Sequence, residues 1–95
     1  MEIKWTDEAK ETFKSNIRYL LEEWTHKEVV NFTHEVYKKL DLLAKYPDLG
    51  SYDDELKCNR YFVVKQITLF YMVQFDEIVL LSFWNNYKKP LKRLQ

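Results

Sequence analysis

Three cations, Lys57, Arg60 and Lys65, bracket the apolar run Tyr61-Phe62-Val63-Val64, and Tyr87 with Lys88 follows the last apolar run of the chain. Cleaving a phosphodiester through a 2′-hydroxyl takes a base, an acid and cations that offset charge on the phosphorane. If the strands carrying these groups lie side by side, Arg60 could clamp a phosphate bidentately and Tyr87 could donate a proton. The same residues also have a structural reading. Lysines at strand edges discourage sheet-to-sheet pairing, and Tyr87 can be a packing aromatic. The densest basic run is Lys88, Lys89, Lys92 and Arg93. It suits contact with RNA or an acidic partner segment, or else a solvated terminal turn above Leu91 and Leu94.

Other reactive side chains are spaced poorly for chemistry. His26, His34 and Cys58 show neither the i, i+4 nor the C-x-x-C spacing of a metal site, so no metal and no cofactor is expected. Cys58 has no neighbouring base and reads as a small core residue. Trp5, Trp24 and Trp84 could stack bases, but Trp5 and Trp24 sit on apolar stripes, which favours packing. No histidine follows His34, which excludes a histidine acid in the last strand or the tail.

The elements that position these groups are read from periodicity. Ninety-five residues, 46% hydrophobic and 17% aromatic, make one folded domain over 1–95. A single cysteine gives no sign of an oxidising compartment, and no apolar run is long enough to span a membrane. With no apolar leader after Met1, a soluble, cytoplasmic protein is expected. The net charge is zero, yet residues 1–55 carry 8 basic and 13 acidic side chains while residues 56–95 carry 7 and 2. A net of −5 is thus joined to a net of +5, so any polyanion or acidic partner would meet the second half.

Residues 2–5 alternate as a strand, with Ile3 and Trp5 on one face. Residues 7–45 form a helical hairpin. Ala9, Phe13, Ile17, Leu20 and Trp24 mark one stripe, and Val29, Phe32, Val36, Leu40 and Leu43 the other. Thr25-His26-Lys27-Glu28 is a capping box that starts the second helix almost without a loop. Pro47 stops that helix, Gly50 permits the positive φ of a turn, and residues 51–55 read as a polar connector. Residues 56–84 switch to β-branched and aromatic runs separated by Lys65-Gln66 and Phe75-Asp76-Glu77, an antiparallel sheet. Residues 87–95 are the basic tail. The order β-α-α-β-β-β is α+β, with the helical hairpin on one face of the sheet and the first strand an edge or a parallel partner of the last.

This order resembles the RelE/ParE superfamily of toxins from bacterial type II toxin–antitoxin modules, the plasmid stabilisation type. The resemblance rests on the Pro47-x-x-Gly50 turn and on Arg60-Tyr61-Phe62-Val63-Val64-Lys65 followed by Thr68-Leu69-Phe70-Tyr71-Met72-Val73. It continues in Ile78 through Trp84 leading to Asn85-Asn86-Tyr87-Lys88-Lys89-Pro90. It implies a growth-inhibiting toxin neutralised by a cognate antitoxin, whose C-terminal segment covers the basic half of the toxin in a hetero-oligomer. Two target classes follow: DNA gyrase, inhibited by binding, or mRNA on the ribosome, cleaved by an endoribonuclease. For the nuclease, Lys57, Arg60, Lys65 and Tyr87 are the catalytic candidates. Lys88, Lys89, Lys92 and Arg93 are the partner-binding candidates in either case. Tyr87-Lys88-Lys89 stands where family members often carry Arg-Gln or Arg-Arg, and the chain is neutral where the ribonucleases are basic. Both departures favour binding over cleavage.

Overall fold

The structure, a computed structural model, describes residues 1–86. Tyr87 and the tail cations Lys88, Lys89, Lys92 and Arg93 lie outside the described residues. The chain runs β1 (Glu2–Trp5), α1 (Asp7–Glu23), α2 (His26–Lys45), a 3-10 turn (Pro47–Leu49), β2 (Ser51–Asp53), β3 (Cys58–Val64), β4 (Ile67–Gln74) and β5 (Glu77–Asn85). The five strands form one sheet in the order β1-β5-β4-β3-β2, antiparallel except for the parallel β1–β5 pair. No helix among the described residues is long and apolar enough to cross a membrane.

The helical hairpin forms where the periodicity places it. Thr6 caps α1 by accepting the Ala9 amide at 3.0 Å. At α2 the capping box is complete: the Glu28 amide donates to Thr25 Oγ1 at 3.2 Å, and the Thr25 amide donates to Glu28 Oε1 at 2.9 Å. Both stripes pack on the same face of the sheet. Leu20, Val29, Val36, Leu40 and Leu43 join Leu69, Tyr71, Ile78, Leu80 and Phe83 in one core. Trp5 and Phe13 extend it, with ring centroids 5.6 Å apart. Burying these side chains, each worth about 1.5–3 kcal/mol, holds the two layers together.

Two bulges set which residues reach that core. The register shifts between Phe62 and Val64 in β3 and opposite Phe70–Tyr71 in β5, where Tyr71 faces Leu80 and Phe70 faces Ser82. Across the second shift the buried positions of β5 change from Ile78 and Leu80 to Phe83 and Asn85. β1 ends opposite Leu80, so β5 continues past it without a strand on that side. Helix α1 covers this edge with polar side chains. Thr6 Oγ1 donates to the Leu80 carbonyl at 2.8 Å, Thr12 Oγ1 accepts the Phe83 amide at 2.9 Å, and Asn16 Nδ2 donates to the Phe83 carbonyl at 3.0 Å. Buried backbone groups must find partners, and here helix side chains supply what a longer β1 would have given.

Two local expectations change. Residues 51–53 are not a connector but strand β2, paired with Cys58, Asn59 and Arg60 of β3. Ser51 and Tyr52 are exposed, so no apolar alternation marked the strand. Gly50 has a φ of −82°, not a positive one. Glycine is required there for space: a Cβ would lie 2.5 Å from both the Arg60 carbonyl oxygen and the Tyr71 hydroxyl.

Candidate functional site

Strand alternation gives the sheet a second face that the helices do not cover. It is built in rows across the strands: Phe62, Thr68 and Trp84 in one, Arg60, Phe70 and Ser82 in the next, and Met72, Val79 and Lys4 beyond. Phe70 and Val79 are the apolar centres of the second and third rows, whereas Thr68 at the centre of the first is buried and donates its hydroxyl to Asn86 Oδ1. Phe62 is 65% exposed, whereas Leu69, on the helix-facing side of the neighbouring strand, is fully buried. Phe70, Met72, Val79 and Trp84 are half-buried on this face, so Phe62 is its most exposed apolar side chain. Arg60 and Lys4 supply its charge, each with a carboxylate beside it. Arg60 Nη1 lies 3.7 Å from Asp53 Oδ2, and Lys4 Nζ lies 3.8 Å from Glu77 Oε2.

The three catalytic candidates among the described residues, Lys57, Arg60 and Lys65, are spread along one strand and its two ends. Lys57 ends the β2–β3 turn and Lys65 opens the β3–β4 turn, at opposite ends of β3. At the usual rise per strand residue they are about 25 Å apart. Arg60 sits between them, engaged with Asp53. Tyr87 and the partner-binding candidates Lys88, Lys89, Lys92 and Arg93 fall outside the described residues.

Two titratable groups are shifted. Burial pushes the Cys58 thiol up, the Asp53 charge adds to this, and Arg60 opposes it. A thiol shifted upward is a poor nucleophile. Cys58 is buried, in keeping with its reading as a packing residue. Burial also raises the Tyr71 phenol, against the lowering effect of the Gly50 amide that donates to it. Tyr71 in turn donates to the Pro47 carbonyl at 2.9 Å. Its role is to pin the 3-10 turn to the sheet.

A groove of about 290 Å³ opens beside α2, floored by Trp24, Phe32 and Val64 and rimmed by Glu28 and Glu35. Glu28 is occupied by the cap of α2, and Glu35 pairs with Lys39 at 3.3 Å and Lys38 at 3.9 Å. Among the described residues no group of three His, Cys, Asp or Glu side chains is placed to hold a metal ion.

Two residues of interest carried weak signals in the sequence. Phe62 was hidden in a run of four apolar residues, and only strand parity assigns it to the outer face. Phe75 occupies a hairpin turn where glycine or asparagine is usual, and that mismatch was its only signal.

A strand, a helical hairpin and a mostly antiparallel sheet with the helices on one face define a small α+β scaffold. The sequence matches the model of a family described as ParE toxin of type II toxin-antitoxin system, parDE, over residues 3–86. The chain belongs to the ParE toxin family of type II toxin–antitoxin systems. No match was found among curated proteins. A solved structure described as the chromosomal ParDE TA system from P. aeruginosa is similar in fold, with a TM-score of 0.76 at 12% identity, covering 90% of this chain and 95% of that one. A copper-bound mutant toxin from Helicobacter pylori is also similar, with a TM-score of 0.55 at 13% identity over 90% of this chain and 93% of its own. At such identities the likeness is one of fold.

Proposed function

We propose that this toxin arrests growth by binding DNA gyrase, without breaking a phosphodiester, and that a cognate antitoxin neutralises it. The observation that carries the first part is the dispersal of Lys57, Arg60 and Lys65 along β3. Phosphorane charge is offset only by cations that converge within hydrogen-bonding reach of one phosphate. The acidic first half of the chain argues the same way, since a net of −5 would be repelled from the polyanionic interior of a ribosome.

The antitoxin part is supported by the sheet face that the helices leave open and by the similar P. aeruginosa structure, which is described as a ParDE TA system. Phe62, Phe70, Met72 and Val79 supply apolar area for affinity. Lys88, Lys89 and Arg93 steer an acidic antitoxin segment toward the basic half in a hetero-oligomer. Reversing those three charges should slow association and flatten its dependence on salt. An association rate that is already the same at low and high salt would remove the steering.

Purified toxin mixed with gyrase and relaxed plasmid tests the target. Loss of supercoiling is the expected result. Unimpaired supercoiling, together with ribosome-dependent cleavage of a transcript by the same preparation, would overturn the reading in favour of an mRNA endoribonuclease.

A further inference from the structure

The β4–β5 hairpin turns on two residues, Phe75 and Asp76, between the paired ends Gln74 and Glu77. Phe75 is 95% exposed and has a φ of +55°. Both features are unfavourable for the isolated chain. A large aromatic in water gives up the free energy of burying its ring, and a non-glycine residue in the left-handed region costs on the order of 1–3 kcal/mol. Glycine would remove both penalties in a turn of this kind. Nothing within the described fold uses the ring: it belongs neither to the core nor to the aromatic pairs.

The surroundings narrow what the ring is for. The β2–β3 turn lies at the same end of the sheet, because β3 starts where β4 ends. The two tips are separated by about 10 Å, two strand spacings. The second tip also presents an apolar side chain, Leu56, 56% exposed, and a left-handed residue, Lys57, at a φ of +59°. Exposed carboxylates surround both tips: Asp54 and Glu55 at one, Asp76 at the other. The turn is held firmly. Asp53 Oδ1 accepts the Glu55 amide at 2.9 Å and the Leu56 amide at 3.0 Å, so Leu56 is presented on an ordered turn.

We propose that this end of the sheet is the toxin's contact with its protein target, with Phe75 as the anchor that enters an apolar pocket and Leu56 as a second contact beside it. The carboxylates fit a basic rim around that pocket. Buried aromatic anchors surrounded by complementary charge are the usual source of binding energy at a protein interface. The tips lie at the opposite end of β4 and β5 from the β3–β4 turn, where the Asn86 amide donates to the Gln66 carbonyl. The proposed target contact and Asn86 therefore lie at opposite ends of β4 and β5.

The inference rests on the reading that the toxin works by binding a protein, so the test separates the two. Wild type, Phe75→Gly and Phe75→Leu are compared for thermal melting, for inhibition of gyrase supercoiling and for growth arrest on expression. Phe75→Gly should melt at or above the wild-type temperature, yet need at least about tenfold more protein to inhibit; Phe75→Leu should retain most of the potency. Reversing Asp54, Glu55 and Asp76 to lysine should weaken inhibition further as salt is lowered. If wild type inhibits gyrase and Phe75→Gly inhibits it equally, the anchor is wrong and the binding reading stands. If wild type spares gyrase while Phe75→Gly alone loses growth arrest with transcripts intact, the anchor stands with another protein target. If neither gyrase inhibition nor growth arrest depends on Phe75, the anchor is overturned whatever the target. A wild-type dimer that Phe75→Gly converts to monomer, or capture by neutral phosphatidylcholine vesicles that Phe75→Gly abolishes, would assign the ring to a second copy or to lipid and overturn the proposal.

Discussion

The Tyr71 hydroxyl accepts the Gly50 amide at 3.1 Å, tying the turn after α2 to the middle of the sheet. The approach is close enough that a single methyl group at position 50 would meet both this hydroxyl and the Arg60 carbonyl oxygen at 2.5 Å. Gly50→Ala should therefore destabilise the fold by about 3 kcal/mol, as overpacking at a tight backbone contact does. The measurement is urea denaturation, with a lower midpoint at an unchanged slope. In the Tyr71→Phe background one of the three clashing atoms is gone, leaving the Arg60 carbonyl oxygen and the ring Cε1 at 2.9 Å. The double variant should then be less destabilised than the sum of the singles by at least about 0.5 kcal/mol. Strict additivity would mean that glycine is needed at position 50 for another reason.

Tyr71 also predicts a response to alkali. Burial raises its phenol above the ordinary value, so the folded state holds the proton more tightly than the unfolded chain. The contribution is complete below the unfolded value, about pH 10, and is lost as pH rises through the folded value. Stability should accordingly fall more steeply above about pH 10 in wild type than in Tyr71→Phe. At neutral pH the order reverses: Tyr71→Phe strands the Pro47 carbonyl and the Gly50 amide, at a cost of about 1–3 kcal/mol. Parallel pH profiles for the two proteins would contradict this assignment.

Asn16 makes a similar argument at the sheet edge. It is buried, and its amide nitrogen donates to the Phe83 carbonyl and to the Thr12 carbonyl. Asn16→Leu should lower stability by about 1–3 kcal/mol despite adding apolar volume, since the Phe83 carbonyl loses its partner. Hydrogen exchange at β5 should quicken beyond Leu80 and not before it. Stabilisation by leucine would show that the polar edge is replaceable by packing.

The helical register is tested by truncation. Leu40 is 3% exposed and lies in the core, and Phe13 packs against its margin. Leu40→Ala should cost about 2–5 kcal/mol and Phe13→Ala about 3–5 kcal/mol, read as lower melting temperatures.

Much of this fold was legible from spacing alone. The capping box at Thr25 and the two apolar stripes placed the helices, and the alternation of Ile3 with Trp5 marked β1, whose place was open between an edge and a parallel partner of the last strand. β2 escaped because Ser51 and Tyr52 bury nothing, so its pairing with β3 leaves no mark on the pattern. Asn16 escaped because a polar residue on an apolar stripe looks like a flaw until the bare edge of β5 is seen. The bulges at β3 and β5 also escaped, because each shifts the phase of alternation by one residue and blurs the period that reveals strands. At the candidate site the residue types were evident, but their spread from one end of β3 to the other was not. Lys57, Arg60 and Lys65 are close in sequence, and extended backbone carries them apart.

The central claim is that this toxin arrests growth by occupying its target and not by cleaving RNA. The direct measurement is growth arrest and transcript integrity on expression of wild type and of the triple variant Arg60→Ala, Lys65→Ala, Tyr87→Phe, once its fold is confirmed by circular dichroism. A nuclease would lose several orders of magnitude in cleavage, since each positioned acid, base or cation contributes about 10²–10⁴ in rate. The account predicts intact transcripts with wild type and nearly undiminished growth arrest with the triple variant. Ribosome-dependent transcript cleavage by wild type, abolished together with growth arrest in the triple variant, would contradict it.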